Sequence, residues 1–447
     1  MKNNVLWISL AAACGGLLFG FDTAVIAGVT PFIQPYFQLD ELGLGWAVSC
    51  VLIGCAVGTQ LAGKPSDMLG RKKTLLGTAV LFLIGALSSA LAVSFQAFLW
   101  FRILGGVGVG AASVLSPIYI AEIAPPKLRG RLVSTNQLAL VIGILIAFFS
   151  NYFLAGMGDD NWRWMLGIGA VPAFMFLVFL LFMPESPYWL FSKGQYEEAR
   201  QVLNRLMLQE EAVGEWTRMQ QAVQEKRTGS IRELMAPKYR RWLIAGILLA
   251  AFQQATGINA ILYYAPVIFE QAGSGTDVAL LQTVAVGFVN LLFTLIAMFT
   301  IDRIGRRPLL LAGEISMAGF LLLLSGVFFM GKLEGYWVMF FILGFIASFA
   351  VSSGPATWVL ISEIYPTKVR SLAVSLATLA LWISNFAVSY TFPVMLKYWH
   401  GGYTFLFYAG INLLAYFFIR ARIPETKGKS LEEMEQFLSE QSAYLPR

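Results

Sequence analysis

Stretches of about twenty apolar residues recur from residue 6 to residue 420 with short breaks, and each is long enough to cross the hydrocarbon core of a bilayer as a helix rising about 1.5 Å per residue. Twelve spans are expected, at 6–31, 44–63, 74–95, 98–121, 132–155, 164–183, 241–271, 278–301, 308–330, 336–362, 371–395 and 402–420. Hydrophobic residues make up 57% of the chain and charged residues 13%, roughly half the charged share of a soluble domain. The expected fold class is therefore an all-α membrane protein, and a soluble globule is excluded.

The net charge of +6 raises the question of nucleic acid, and the placement of the basic residues answers it. Of 32 Lys and Arg, all but Arg102, Arg163, Lys332 and Lys397 fall on one side, in the termini and in loops around 64–73, 127–131, 193–241, 303–307 and 368–370. That asymmetry is the positive-inside signature, and it predicts that both termini are cytoplasmic. The apolar run after Lys2 continues past Cys14 to Gly28, longer than the core of a signal peptide, and Ala11 stands where a lipoprotein leader favours Leu. No cleaved leader is expected. Cys14, Cys50 and Cys55 all lie inside spans, so neither a disulfide framework nor a metal site is expected.

Polar landmarks repeat at a nearly constant offset. Asp67-Met68-Leu69-Gly70-Arg71 returns as Asp302-Arg303-Ile304-Gly305-Arg306; Glu122, Pro125 and Arg129 return as Glu363, Pro366 and Arg370; Pro184-Glu185-Ser186 returns as Pro424-Glu425-Thr426. Each landmark follows the corresponding span of its half. Six spans duplicated in the same orientation predict a parallel repeat: residues 1–183 and 241–422 as two six-helix halves, 184–240 as a helical cytoplasmic linker and 423–447 as a cytoplasmic tail.

The motifs carry a specific resemblance. Gly63-x3-Asp67-x2-Gly70-Arg71-Lys72, Arg102-x2-Gly105-Gly106, Glu122 to Gly130, Pro184-Glu185-Ser186-Pro187, Gln253-Gln254-x2-Gly257-Ile258-Asn259, Asp302-x2-Gly305-Arg306-Arg307 and Pro424-Glu425-Thr426-Lys427-Gly428 occur in order, each at its expected loop or helix. Over residues 5–435 the chain resembles the sugar porter family of the major facilitator superfamily, nearest to bacterial proton-linked glucose and xylose symporters and more distantly to animal glucose facilitators. The resemblance implies the major facilitator fold in a bacterial inner membrane and a monosaccharide carried with protons by alternating access. It further implies protons as the coupling ion, with no cofactor, no nucleic acid and no obligatory protein partner. It leaves open glucose, xylose, galactose, arabinose or a polyol.

A pyranose presents a ring of hydroxyls and partly apolar faces, so its site needs amides that donate and accept and flat aromatic rings. Gln253 and Gln254 lie near mid-bilayer, about 18 Å along the seventh span. On an unbroken helix Asn259 would point roughly 120–140° away from them; a break at Gly257 would let the three converge, as Gly-interrupted transporter helices do. Gln137 and Asn290 are further amides within spans, and Trp358 and Trp382 are candidate aromatics. Gln137, Gln253, Gln254, Asn259, Asn290 and Trp358 fall, by the resemblance, on sugar-contacting positions. Leu381 stands where many relatives carry Asn or Gln, which bears on sugar choice. Amides also join helices in membranes without touching a ligand.

Asp22 is the acid in the middle of the first span, where an unpaired charge costs roughly 2.5–3.5 kcal/mol on insertion scales. Arg102 is placed at similar depth, and the resemblance implies that the two form a pair. Desolvation favours the protonated carboxyl and a nearby cation the ionised one, so a pair that changes between conformations can take up and release a proton. At the cytoplasmic helix ends, Asp67, Arg71, Glu122 and Arg129 with their repeats Asp302, Arg306, Glu363 and Arg370 resemble the family's inner gate, a network that closure would form and opening would break. His400 is expected in an outer loop, away from any relay. Glu314, inside the ninth span, has no repeat counterpart. An enzyme is not expected: no nucleophile-and-base constellation, metal cluster or phosphate loop appears, and the glycines at 105–110 suit close helix packing. A sugar sensor should carry a larger tail than the roughly 25 residues after Arg422, and an uncoupled facilitator is disfavoured by Asp22.

Overall fold

The computed structural model describes residues 3–224, 231–331, 335–365, 369–428 and 433–434 of the chain. Lys332, Pro366, Lys368 and most of the 423–447 tail lie outside the described residues. Among the described residues every regular element is a helix. Twelve helices are long and apolar enough to span a membrane: Val5–Tyr36, Glu41–Leu61, Arg71–Ala90, Phe95–Ile123, Arg129–Leu154, Asn161–Phe182, Tyr239–Gln271, Thr276–Ile304, Arg306–Met330, Tyr336–Glu363, Arg370–Tyr398 and His400–Arg422. The chain is thus a multi-pass membrane protein.

Span boundaries shift by up to about five residues from expectation, and two of the shifts bear on named residues. The first span continues through Pro31 and Pro35 instead of ending at 31. Pro31 has no N–H for the carbonyl four residues back, and the Thr30 hydroxyl takes that role by donating to the Ala27 carbonyl at 2.8 Å. His400 lies in no loop: it opens the twelfth span at φ +57°, with Trp399 alone separating it from the eleventh.

The chain divides into two compact units, one of Met1–Gln38 with Cys50–Lys226, the other of Leu39–Ser49 with Arg227–Arg447. In the first unit the first span packs on the fifth, and the third on the fourth and sixth. In the second unit the seventh packs on the eleventh, and the ninth on the tenth and twelfth, so the packing repeats along with the motifs. The opening of the second span belongs to the second unit, where the Trp46 ring lies 5.5 Å from that of Tyr390 and Glu41 pairs with Lys397. Between residues 184 and 240 the described helices are Pro187–Ser192, Tyr196–Leu206, Gln209–Gln224 and Ile231–Leu234.

Candidate functional site

In the first unit, Asp22 and Arg102 come from the first and fourth spans and meet in the interior, with 8% and 4% of their side chains exposed. One guanidinium nitrogen donates to Asp22 Oδ1 and the other to the Asp22 backbone carbonyl at 3.3 Å. Asp22 Oδ2 and Arg102 Nε are buried without a hydrogen-bond partner. The ion pair thus leaves one carboxylate oxygen unengaged. Gln137, on the fifth span of the same unit, is half-buried.

The amides of the seventh span belong to the second unit. The span breaks after Ala255, and Gly257 adopts φ +91°, from which a new helix starts at Ile258. A left-handed conformation suits glycine, and here space demands it as well: a Cβ at 257 would stand 2.9 Å from the Tyr408 ring. Asn412 secures the break by donating to the Thr256 carbonyl at 3.2 Å. The turn swings Asn259 back toward the glutamines. Asn259 Nδ2 donates to Gln254 Oε1 at 2.6 Å, Gln254 Nε2 to Gln253 Oε1 at 3.2 Å, and Gln253 Nε2 to the Ser353 and Gly354 carbonyls at 3.0 and 3.4 Å.

The direction of this chain is fixed at its buried end. A carbonyl only accepts, so the group of Gln253 facing Ser353 must be the NH2, and each later amide must then donate toward Gln253. Gln253 and Gln254 are buried while Asn259 is half-buried, and the acceptor oxygen of Asn259 and the second N–H of Asn259 and Gln254 are not taken up by this chain of hydrogen bonds.

The remaining candidates differ in access. Asn290 is buried on the eighth span and Trp382 on the eleventh. Trp358 keeps 39% of its surface exposed, which suits a ring that stacks on a sugar face. Leu381 is buried and adds no hydrogen-bonding group beside Trp382.

The charged helix ends resolve into a repeated triad. Arg71 pairs with Asp67 and Glu122, each at 3.0 Å; Arg306 pairs with Asp302 at 3.0 Å and Glu363 at 3.5 Å. Glu185 accepts from the N–H groups of Arg71, Lys72 and Ser186 at 2.8, 3.1 and 2.8 Å. Glu425 does the same for Arg306, Arg307, Thr426 and Lys427 at 3.1, 3.0, 2.9 and 2.8 Å. A carboxylate on the unsatisfied N–H groups of a helix start answers both their hydrogen-bonding need and the helix dipole.

Arg129 stands apart from these triads, contrary to the single grouping expected. Arg129 pairs at 2.5 Å with the fully buried carboxylate of Glu215, which also holds Arg218 at 3.2 Å and accepts from the Tyr188 hydroxyl. Arg370 donates to the Tyr365 carbonyl at 3.2 Å. Burial and the Glu215 carboxylate push the Tyr188 phenol up to about 12. In the sequence Glu185 and Glu425 stand out as repeat landmarks and motif residues, and their recurrence with Asp67 and Asp302 is the signal that points to this role. Glu215 lies in the polar linker and left no signal.

The sequence profile of the family described as "Sugar (and other) transporter" matches residues 8–438. The chain is 41% identical to the arabinose-proton symporter of Bacillus subtilis over 97% of its own length and 94% of the relative's. It is 40% identical to the galactose-proton symporter of Escherichia coli, covering 98% and 95%. Among solved structures, a partially occluded inward open form of the xylose transporter XylE from E. coli superposes with a TM-score of 0.86 at 38% identity, over 95% of this chain and 99% of that one. Sequence and structure agree in assigning the major facilitator fold, and this chain belongs to the sugar transporter family.

Proposed function

We propose that this protein is a proton-coupled monosaccharide symporter of a bacterial inner membrane, with both termini cytoplasmic, working by alternating access on a pentose or hexose. The observation that carries the coupling is the buried Asp22, held by Arg102 with one carboxylate oxygen unengaged. An intramembrane ionisable residue marks a functional site by default, and acids at such places serve as proton relays in transporters. The directed chain of Gln253, Gln254 and Asn259 supplies the sugar's hydrogen-bonding partners, with Gln137, Asn290, Trp358 and Trp382 as further contacts. The triads of Asp67, Arg71 and Glu122 and of Asp302, Arg306 and Glu363, together with Arg129 and Arg370, serve as the cytoplasmic gate. Two relatives are named for symport of arabinose and of galactose with protons, which supports the same chemistry here.

The test is uptake of labelled xylose, arabinose, galactose and glucose into proteoliposomes, with and without an imposed proton gradient. Accumulation of at least one sugar above its outside concentration only when the gradient is present is expected. Uptake that stops at equal concentrations under both conditions would contradict the coupling, and no uptake of any sugar would contradict the substrate class.

A further inference from the structure

Glu314 is a carboxyl that neither the proton pair nor the charged helix ends use. It lies in the ninth span with 2% of its surface exposed. Its Oε1 accepts from the Ser353 hydroxyl at 2.7 Å, and its Oε2 is buried with no hydrogen-bond partner. Burying an ionisable group is costly unless it is paired or neutral, and such groups inside a membrane mark function.

Its surroundings indicate the use. The tenth span is broken between Val351 and Ser353, and Ser352 sits at φ −122°, ψ −89°. Pro355 accounts for the break, because it cannot donate to the carbonyl of Val351. The ninth span approaches closely there: a Cβ at Gly313 would overlap the Ser352 hydroxyl at 1.8 Å. On the far side of the break, the carbonyls of Ser353 and Gly354 receive Gln253 Nε2. Hydrogen bonds therefore run without interruption from Glu314 through Ser353 to Gln253, Gln254 and Asn259.

We propose that Glu314 is a positioning residue for sugar binding: by holding the Ser353 hydroxyl it fixes the broken segment whose carbonyls orient Gln253 and, through it, the donor and acceptor pattern that Gln254 and Asn259 present. This rests on the assignment of those amides to the sugar site. Glu314 does not touch the sugar; it acts through a backbone segment that has lost one helical hydrogen bond and depends on side chains for its place. A loosened Ser353 would let Gln253 turn over, and the rest of the amide chain would reverse its donors and acceptors with it.

The test is equilibrium binding of xylose, arabinose, galactose and glucose to the purified full chain, with melting temperature recorded alongside. Glu314→Ala and Ser353→Ala should each weaken binding of the preferred sugar about tenfold, the size of one lost hydrogen bond. Their combination should be no weaker than either alone. Glu314→Gln keeps an acceptor for the Ser353 hydroxyl and should bind within about twofold of the unaltered protein. In a Gln253→Ala background, Glu314→Ala should have no further effect on affinity. Unchanged affinity in both Glu314→Ala and Ser353→Ala would overturn the proposal, whatever the melting temperature does, as would Glu314→Gln binding as weakly as Glu314→Ala. If the unaltered protein bound none of the four sugars, the sugar-site assignment itself would fail, an outcome distinct from these.

Discussion

Arg102 donates to Asp22 twice, from one terminal nitrogen to the carboxylate and from the other to the backbone carbonyl at 3.3 Å. The second bond does not depend on the aspartate's charge. It would hold Arg102 against the first span even when the carboxylate carries a proton, so loss of the ion pair need not separate the two helices.

The double contact gives a stability prediction. Removing one member of a buried pair leaves the other charge uncompensated, at a cost of roughly 3–5 kcal/mol. Asp22→Asn and Arg102→Gln should each lower the melting temperature, and Asp22→Asn should lower it less, because its amide oxygen still accepts from Arg102. The double variant should regain part of the loss, a coupling that a double-mutant cycle reads directly. Strictly additive losses would show that the two side chains do not stabilise one another.

Sugar affinity is the readout for the amide chain. Gln254→Ala interrupts it and leaves the donor of Asn259 unpaired, while Asn259→Ala removes its half-buried end. Each should weaken binding by about 1–3 kcal/mol, the range for a buried polar group left unsatisfied. Membrane insertion should be unaffected. Affinity unchanged in both purified variants would remove the seventh span from the sugar site.

Leu381 offers a test of selectivity. It is buried beside Trp382, and Leu381→Asn would add a donor and an acceptor there. Competition of unlabelled sugars against the preferred one should give a changed order of potency. The same order would place Leu381 outside the pocket.

Much of this arrangement was legible in the sequence, and the exceptions share a cause. Apolar length located the twelve spans, since no other signal competes with it in a bilayer, and Gly257 marked the break that brings Asn259 to Gln254. The contacts of Glu314 and Arg129 were not legible. Ser353 is one hydroxyl among several near a helix break, and Glu215 is one acid on a polar linker helix; in both cases the partner is chosen by packing of segments far apart in the chain. The first span outran its expected end because Thr30 bonds the carbonyl that Pro31 leaves unpaired, a local substitution that hydropathy does not register.

The linker contact has its own pH signature. In the folded chain the Tyr188 phenol is pushed up from its ordinary value of 10 to about 12. A raised value means the contribution of the hydroxyl is fully present below about pH 10 and is lost as pH rises through about 12. Hydrogen exchange in Gln209–Gln224 should therefore speed up over that window beyond its ordinary base-catalysed rise. Tyr188→Phe should abolish the extra step, and Glu215→Ala should leave the helix exchanging fast already at pH 7. Identical profiles in all three proteins would show that Tyr188 and Glu215 do not hold the helix in place.

The proton's place in transport is tested most directly by Asp22→Asn in proteoliposomes loaded with the preferred sugar. The amide keeps the shape of the carboxyl and its bond from Arg102 but cannot titrate. Sugar exchange between equal concentrations should survive at a rate comparable to the unaltered protein, and accumulation driven by an imposed proton gradient should disappear. If Asp22→Asn still concentrates sugar against its gradient when the proton gradient is applied, Asp22 is not the coupling acid.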